Sequence, residues 1–274
     1  MPAGRPFPSA VGDASPSALD SAAMPSLTAT RVFDDAAGLR DAAAERIAEI
    51  GESALAERGR FRWVMTGGST IEPVYERLAR PPLRDRLKWD RVEVFFTDER
   101  CVPPDHPDSN FGMASRSLLD RVPIPCDRIH RMRGEDPNPE RAAIEHEHRL
   151  REALGIGRGE PPDFDLVLLG MGADAHVASL FPGDPQVLVD DRLVVPVEHH
   201  RDPPPPVDRL SLTAPALSAG RATLFVVAGG DKASAVHAAI EGPDEPARVP
   251  ARRVAPPEPP LWLLDRPAAS GLSR

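Results

Sequence analysis

Short apolar runs alternate with longer amphipathic stretches along most of the chain. The runs are four or five residues long, and several are rich in β-branched or aromatic residues, which is typical of buried strands. They cover residues 62–65, 92–96, 165–169, 193–197, 223–227 and 261–264. Stretches that favour helix occupy residues 36–58, 72–79, 111–119, 139–154 and 232–240. The pattern predicts strands that alternate with helices.

This alternation predicts an α/β fold of the Rossmann-like, doubly wound type, with a mainly parallel central sheet and helices on both faces. We expect residues 27–274 to form a single domain of this kind. Residues 1–26 are rich in Pro, Ser, Ala and Gly and are predicted to be a disordered extension. Ligands of such sheets bind at the carboxyl ends of the strands, so the turns that follow the apolar runs are the places to look for chemistry.

Composition narrows the class of partner. A formal net charge of -9 disfavours nucleic acid and anionic membranes, because the average field repels their phosphates. The chain has no apolar run that could span a bilayer and no secretory signal. Cys101 and Cys126 are far apart, which predicts neither a disulfide framework nor a zinc ribbon. We therefore expect a cytoplasmic protein, a monomer or small homo-oligomer, that acts on a small molecule.

A glycine-rich turn follows the first of these apolar runs. Gly67, Gly68, Ser69 and Thr70 stand between this run and a predicted helix. Glycines let an anion approach the backbone, and hydroxyl and free N–H groups supply donors. The turn is a candidate phosphate site, and the alternative is a strand-to-helix turn with a Ser or Thr cap.

Three ionisable residues follow the next run. Asp98, Glu99 and Arg100 stand at the carboxyl end of a predicted strand, where they can face a ligand. The alternative is a solvated loop in which Asp98 or Asn110 caps the next helix.

The turn after residue 169 carries the most informative chemistry. Asp174 and His176 follow the pair Gly170 and Gly172 just past a predicted strand. An imidazole in that place can serve as a general base, and a neighbouring carboxylate can orient it. The glycines also match a dinucleotide-binding pattern, but Pro182 interrupts the long helix that this pattern requires. Nucleotide binding is therefore disfavoured.

Two basic residues lie close to predicted strands. Arg209 and Lys232 can each hold a phosphate by charge-assisted hydrogen bonds. The remaining histidines are weaker candidates: His146 and His148 point to different faces of one predicted helix, and the pair at 199–200 is interpreted as an exposed loop. No set of residues has metal-ligand spacing, so no metal is expected.

Taken together, these segments resemble the 6-phosphogluconolactonase family, which is related in fold to glucosamine-6-phosphate isomerase/deaminase. The resemblance extends over residues 31–266 and rests on residues 66–78, 95–114, 165–183, 209–213 and 229–236. It implies hydrolysis of 6-phosphoglucono-δ-lactone to 6-phosphogluconate, in the pentose phosphate pathway, without metal, nucleotide or other cofactor.

The resemblance also implies roles for individual residues. His176 would take a proton from water, and Asp174 would orient the imidazole. Residues 66–70, Arg209 and Lys232 would surround the phosphate, and Arg100 would bind substrate or brace the site. Alternatives are a glucosamine-6-phosphate isomerase/deaminase-like enzyme and a catalytically degenerate sugar-phosphate-binding regulator.

The chain departs from the family at two positions near the histidine. Members commonly have Asp-Gly-His-Thr where this chain has Ala175 and Val177 on either side of His176. If position 175 adopts a positive φ, Ala costs on the order of 1 kcal/mol there.

Overall fold

The computed structural model describes residues 29–200 and 203–273, so the predicted extension at 1–26 lies outside the described residues. The strands are β1 (Ala29–Phe33), β2 (Phe61–Met65), β3 (Val92–Phe96), β4 (Asp98–Arg100), β5 (Phe164–Leu169), β6 (Val194–Val197), β7 (Arg209–Leu212), β8 (Gly220–Val227) and β9 (Leu261–Asp265). The α-helices are α1 (Ala36–Arg58), α2 (Glu72–Leu78), α3 (Asn110–Ser117), α4 (Pro139–Leu154), α5 (Ala214–Leu217) and α6 (Ala233–Ile240).

A six-stranded parallel sheet forms the centre of the fold, in the order β1-β9-β8-β5-β2-β3. Its side chains enter two apolar cores, because successive residues of a strand point to opposite faces. On β2, Trp63 and Met65 pack in one core and Val64 packs in the other. Helices α1–α3 contribute to the first core and α4–α6 to the second. The predicted α/β fold with a mainly parallel sheet is confirmed.

Capping residues set the ends of the two longest helices. Asp35 accepts hydrogen bonds from the first backbone N–H groups of α1, and Asn138 does the same for α4. Both helices end at a glycine in the left-handed conformation, Gly59 with φ 69° and Gly155 with φ 70°. These signals are present in the sequence, and the predicted bounds 36–58 and 139–154 are confirmed. Among the described helices, none combines the length and the apolar character that a bilayer span requires.

A second, three-stranded antiparallel sheet has the order β4-β7-β6. The run at 193–197 was predicted only as a strand; it forms β6, which pairs antiparallel with β7. The described residues between β6 and β7, 198–200 and 203–208, form no helix, and the two strands pair antiparallel without a helical crossover.

Thr97 joins the two sheets. Its N–H donates to Met65 O (2.8 Å) in the central sheet, and its carbonyl accepts from Leu212 N (2.7 Å) in the second sheet. The chain therefore carries Asp98 and Arg100 from the carboxyl edge of the parallel sheet directly into the antiparallel one.

Candidate active site

An open cavity of about 200 Å³ lies at the carboxyl ends of the central strands. Its walls contain nearly all of the residues that the sequence analysis selected: Gly67, Gly68, Ser69, Thr70, Asp98, Arg100, His176, Arg209 and Lys232. Asp174 contacts His176 from behind. Segments that are far apart in the chain meet here because parallel strands end at one edge of their sheet.

The two glycines of the 66–70 turn meet different requirements. Gly68 has φ 117°, a conformation that L side chains rarely adopt. A Cβ on Gly67 would lie 1.8 Å from Oδ1 of Asn110, so this position allows no side chain. Neither Ser69 nor Thr70 caps the following helix, since the N-cap of α2 is Ile71, which makes no side-chain capping bond. The alternative of a Ser or Thr cap is therefore wrong.

Strand alternation separates the three ionisable residues of β4. Asp98 and Arg100 line the cavity, whereas Glu99 points to the opposite side and is 2% exposed. Glu99 accepts hydrogen bonds from the backbone N–H groups of Asn110 (2.7 Å) and Phe111 (2.8 Å) at the start of α3. Burial raises the pKa of Glu99 despite these bonds. The expectation that all three can face a ligand is therefore wrong for Glu99.

Neutral donors hold the carboxylate of Asp98. It accepts hydrogen bonds from Thr97 Oγ1 (2.9 Å), Asn110 Nδ2 (3.1 Å) and Ser179 Oγ (2.7 Å). Asn110 lines the cavity and does not cap α3, because Ser109 is the N-cap. The predicted capping by Asp98 or Asn110 is thus wrong, and both residues belong to the cavity floor.

Two arginines stand directly opposite each other on neighbouring strands. Arg209 is the first residue of β7, and its register partner on β4 is Arg100. Like charges in this arrangement repel each other. The Nε atoms of both side chains are buried and unpartnered. Among the described residues, the hydrogen bonds of the two guanidinium groups go to the backbone carbonyls of Asp108 and Pro205, not to carboxylates. Burial lowers the pKa of Arg209; the charge of Arg100 acts in the same direction, and the nearby charge of Asp98 acts against both. A bound anion would compensate these charges.

Arg209 is anchored by one further contact, and Lys232 adds a third cation. Arg209 Nη2 donates to Pro205 O at 3.0 Å, and the residue as a whole is 3% exposed. Lys232 lies in the turn after β8, as predicted, with Nζ 3.4 Å from Asp231. Lys232 is therefore the more exposed of the two predicted phosphate ligands.

His176 and Asp174 form a close pair at the end of β5. Nδ1 of His176 lies 2.6 Å from Oδ1 of Asp174. Burial acts to raise the pKa of Asp174, but the hydrogen bond and charge of His176 outweigh it, and the pKa lies below its ordinary value. A Cβ on Gly172 would lie 2.0 Å from the imidazole Nδ1, so the ring packs directly on the backbone of this turn. With Nδ1 held by Asp174, Nε2 is left for chemistry in the cavity.

A family model described as glucosamine-6-phosphate isomerases/6-phosphogluconolactonase matches residues 34–262. The chain belongs to this family. It is 40% identical to a 6-phosphogluconolactonase of Nostoc sp. over 81% of this chain and 89% of that protein. It is 39% identical to a 6-phosphogluconolactonase of Streptomyces coelicolor over 86% of this chain and 91% of that protein.

Solved structures agree with this family assignment. The 6-phosphogluconolactonase from Thermotoga maritima superposes with a TM-score of 0.75 at 32% identity, covering 87% of this chain and 100% of that chain. A monomeric glucosamine-6-phosphate deaminase superposes with a TM-score of 0.74 at 20% identity, covering 89% of this chain and 100% of that chain. The second likeness is one of fold.

Two alanines beside His176 have positive φ angles. Ala175 has φ 68° and Ala178 has φ 50°, so both adopt the left-handed conformation that favours glycine. The condition stated for position 175 is met. Ala175 N donates to Gly172 O (3.1 Å), and Gly172 N donates to His176 O (2.9 Å), which closes the turn that presents the imidazole.

The histidines outside the cavity differ in environment. His146 is 2% exposed while His148 is exposed, so the prediction of different helix faces is confirmed. The prediction of an exposed loop at 199–200 is correct for His200 and wrong for His199, which is fully buried against the ring of Phe181. In the part of the chain that the structure describes, no three His, Cys, Asp or Glu side chains are grouped as metal ligands would be.

Proposed function

We propose that this protein hydrolyses 6-phosphoglucono-δ-lactone to 6-phosphogluconate, with His176 as the general base. The observation that carries the proposal is the His176–Asp174 pair, 2.6 Å apart, in a cavity that also contains two arginines facing each other on neighbouring strands. The first feature suits activation of water, and the second suits an anionic substrate. The names of the relatives support the same reaction.

The phosphate is proposed to lie among the cations and the glycine-rich turn. Arg209 would donate from its guanidinium, and Lys232 would act as a point charge. Gly67 and Gly68 leave room for the phosphate oxygens, while Ser69 and Thr70 offer hydroxyl donors. Such an anion would relieve the repulsion within the arginine pair.

The sugar hydroxyls are proposed to lie over the cavity floor. Asp98 is 5% exposed and accepts three hydrogen bonds, and a carboxylate can offer a ligand only further hydrogen-bond acceptor sites. It would repel a phosphate but attract a hydroxyl. Asp98 is therefore assigned to the ring hydroxyls, whereas Arg100 and Arg209 face the charged end.

The reaction follows from these positions. Nε2 of His176 removes a proton from water as the water oxygen attacks the lactone carbonyl carbon. The carbonyl oxygen becomes an oxyanion that backbone N–H groups of the turn can stabilise. The bond between the carbonyl carbon and the ring oxygen then breaks, and the ring oxygen leaves with the proton from His176. Asp174 stabilises the imidazolium between these steps.

The test is acid release from freshly generated lactone, corrected for spontaneous opening at the same pH. His176→Asn should lower kcat by about 100- to 10,000-fold with little change in substrate affinity. His148→Asn, an exposed histidine of α4, is the matched control. Near-normal corrected turnover by His176→Asn would exclude His176 as the base. Ammonia release from glucosamine 6-phosphate by the wild-type protein would instead favour the isomerase/deaminase alternative.

A further inference from the structure

Phe181 occupies a buried position behind the cavity wall, between two of the groups proposed to act on substrate. It is 1% exposed and does not line the cavity. Its ring centroid lies 4.8 Å from that of His176, and Cζ of Arg209 lies 5.6 Å from the same ring. One aromatic ring therefore contacts both the proposed base and the proposed phosphate ligand.

The two contacts favour positive charge. An aromatic face attracts a cation within about 6 Å, and the attraction strengthens where water is excluded. Arg209 carries a permanent charge, and His176 becomes a cation when it takes the proton from water. The ring of Phe181 can stabilise both, although it does not line the cavity.

Phe181 has a further ring contact, which links it to the segment before β7. His199 stacks on it with the ring centroids 4.2 Å apart and the planes at 14°. Nε2 of His199 lies 2.7 Å from Pro203 O, and Arg209 donates to Pro205 O in the same loop. The loop thus supports Phe181 through His199 and holds Arg209 directly.

We propose that Phe181 is a positioning residue that couples His176 to Arg209, so that one ring sets both the base and the phosphate contact. This inference rests on the proposed function. It predicts that loss of the ring impairs two separable properties, turnover and selectivity for the phosphate group. A residue that only fills space would change stability without changing that selectivity.

The experiment compares Phe181→Leu with Phe164→Leu. Phe164 is also fully buried in the same apolar core, but it begins β5 at the end remote from the cavity. Each variant is assayed with 6-phosphogluconolactone and with unphosphorylated gluconolactone. The rise in Tm caused by 6-phosphogluconate is measured in parallel, without turnover.

We expect Phe181→Leu to lower kcat on both lactones by about 10-fold or more, because small misplacements of catalytic groups are costly. We also expect it to raise KM only for the phosphorylated lactone and to reduce the Tm shift. Phe164→Leu should lower the unliganded Tm and leave the other properties unchanged. If Phe181→Leu does not fold, Phe181→Met, which fills irregular space, is measured in the same way.

Equal behaviour of the two leucine variants would overturn the coupling by Phe181 and leave the proposed function standing. A wild-type protein that does not hydrolyse the lactone would overturn the proposed function. In that case, the Tm shift still tests the contact with Arg209.

Discussion

The arginine pair makes a quantitative prediction about stability with and without ligand. Arg209→Met keeps an unbranched side chain on the ring of Phe181 and removes a buried charge. An unsatisfied buried donor costs about 1–3 kcal/mol, and the hydrogen bond to Pro205 O that is lost contributes about 1.5–3 kcal/mol. The two effects nearly cancel, so we expect the unliganded free energy of unfolding to change by no more than about 1 kcal/mol. If Arg209 were instead one partner of a buried ion pair, its removal would cost about 3–5 kcal/mol.

The stabilisation of the protein by a bound ligand should respond to Arg209→Met very differently. At 100 times Kd, 6-phosphogluconate should stabilise the wild-type protein by about 2.7 kcal/mol. Loss of about 2 kcal/mol of binding energy at Arg209 weakens affinity about 30-fold. The same ligand concentration then stabilises the variant by only about 0.9 kcal/mol. At roughly 2–4 °C per kcal/mol, the ligand-induced Tm shift should fall from about 5–11 °C to about 2–4 °C.

Scanning calorimetry with and without 6-phosphogluconate measures both quantities. Arg221→Met is the control, because Arg221 is an exposed arginine at the amino end of β8, remote from the cavity. It should leave the ligand-induced shift intact. A variant at Arg209 that unfolds far below the wild type but retains the full ligand-induced shift would refute the assignment of an uncompensated phosphate ligand.

Four further predictions concern the base, the backbone, a buried histidine and metals. Asp174→Asn removes the carboxylate that holds Nδ1 of His176, so corrected kcat should fall with little change in KM; unchanged turnover would contradict the pairing. Ala175→Gly relieves about 1–2 kcal/mol of backbone strain. It also loses about 0.8 kcal/mol from burial of the methyl group and about 0.4–1 kcal/mol because the unfolded chain gains conformational entropy. These contributions nearly cancel, so the Tm of the variant should stay within about 3 °C of wild type. A rise well beyond this range would show that the turn is more strained than its dihedral angle indicates. Burial lowers the pKa of His146 to about 3 in the folded protein. Between this value and the ordinary histidine pKa, His146 binds a proton in the unfolded chain but not in the folded protein, so the free energy of unfolding falls as the pH drops through this range. Between pH 7 and pH 5, denaturant titrations should show about 2 kcal/mol less loss of stability in His146→Leu than in the wild type, and equal losses would contradict the burial effect. Exhaustive chelation should leave lactone hydrolysis unchanged, and activity restored by one specific metal would overturn that expectation.

Local signals in the sequence were sufficient for five of the six central strands and for the long helices. The sixth strand, β1, was not predicted, because its residues are mostly exposed and form no buried apolar run. Asp35 and Gly59 bound α1 through their own side-chain and backbone preferences, independent of any distant residue. Buried parallel strands are continuous apolar runs, which are visible in the sequence. By contrast, β4 is three residues long and charged, and only its pairing with β7 makes it a strand. No local pattern could predict that pairing.

In the candidate site, too, some features were predictable from local sequence and others depended on contacts between distant residues. Residues in turns after parallel strands were correctly placed together, because the topology alone brings those ends to one edge. The orientation of Glu99 depended on the unpredicted strand β4 and was therefore wrong. The burial of His199 depends on its stack with Phe181, 18 positions earlier in the chain, and its polar, proline-rich surroundings indicated the opposite. The cavity position of Asn110 likewise follows from contacts with Asp98 and not from local sequence.

The crossing at Thr97 makes β4 intolerant of a change in length. One residue inserted after Thr97 would move Asp98 to the side that faces α3 and bring Glu99 opposite Arg209. In place of two arginines, a glutamate and an arginine would then face each other and neutralise one another, although every original side chain would still be present. The anion preference proposed for this site therefore depends on the number of residues between the two sheets as much as on the types of the residues. We expect related sequences to tolerate substitutions at the junction between Thr97 and β4 but not insertions or deletions.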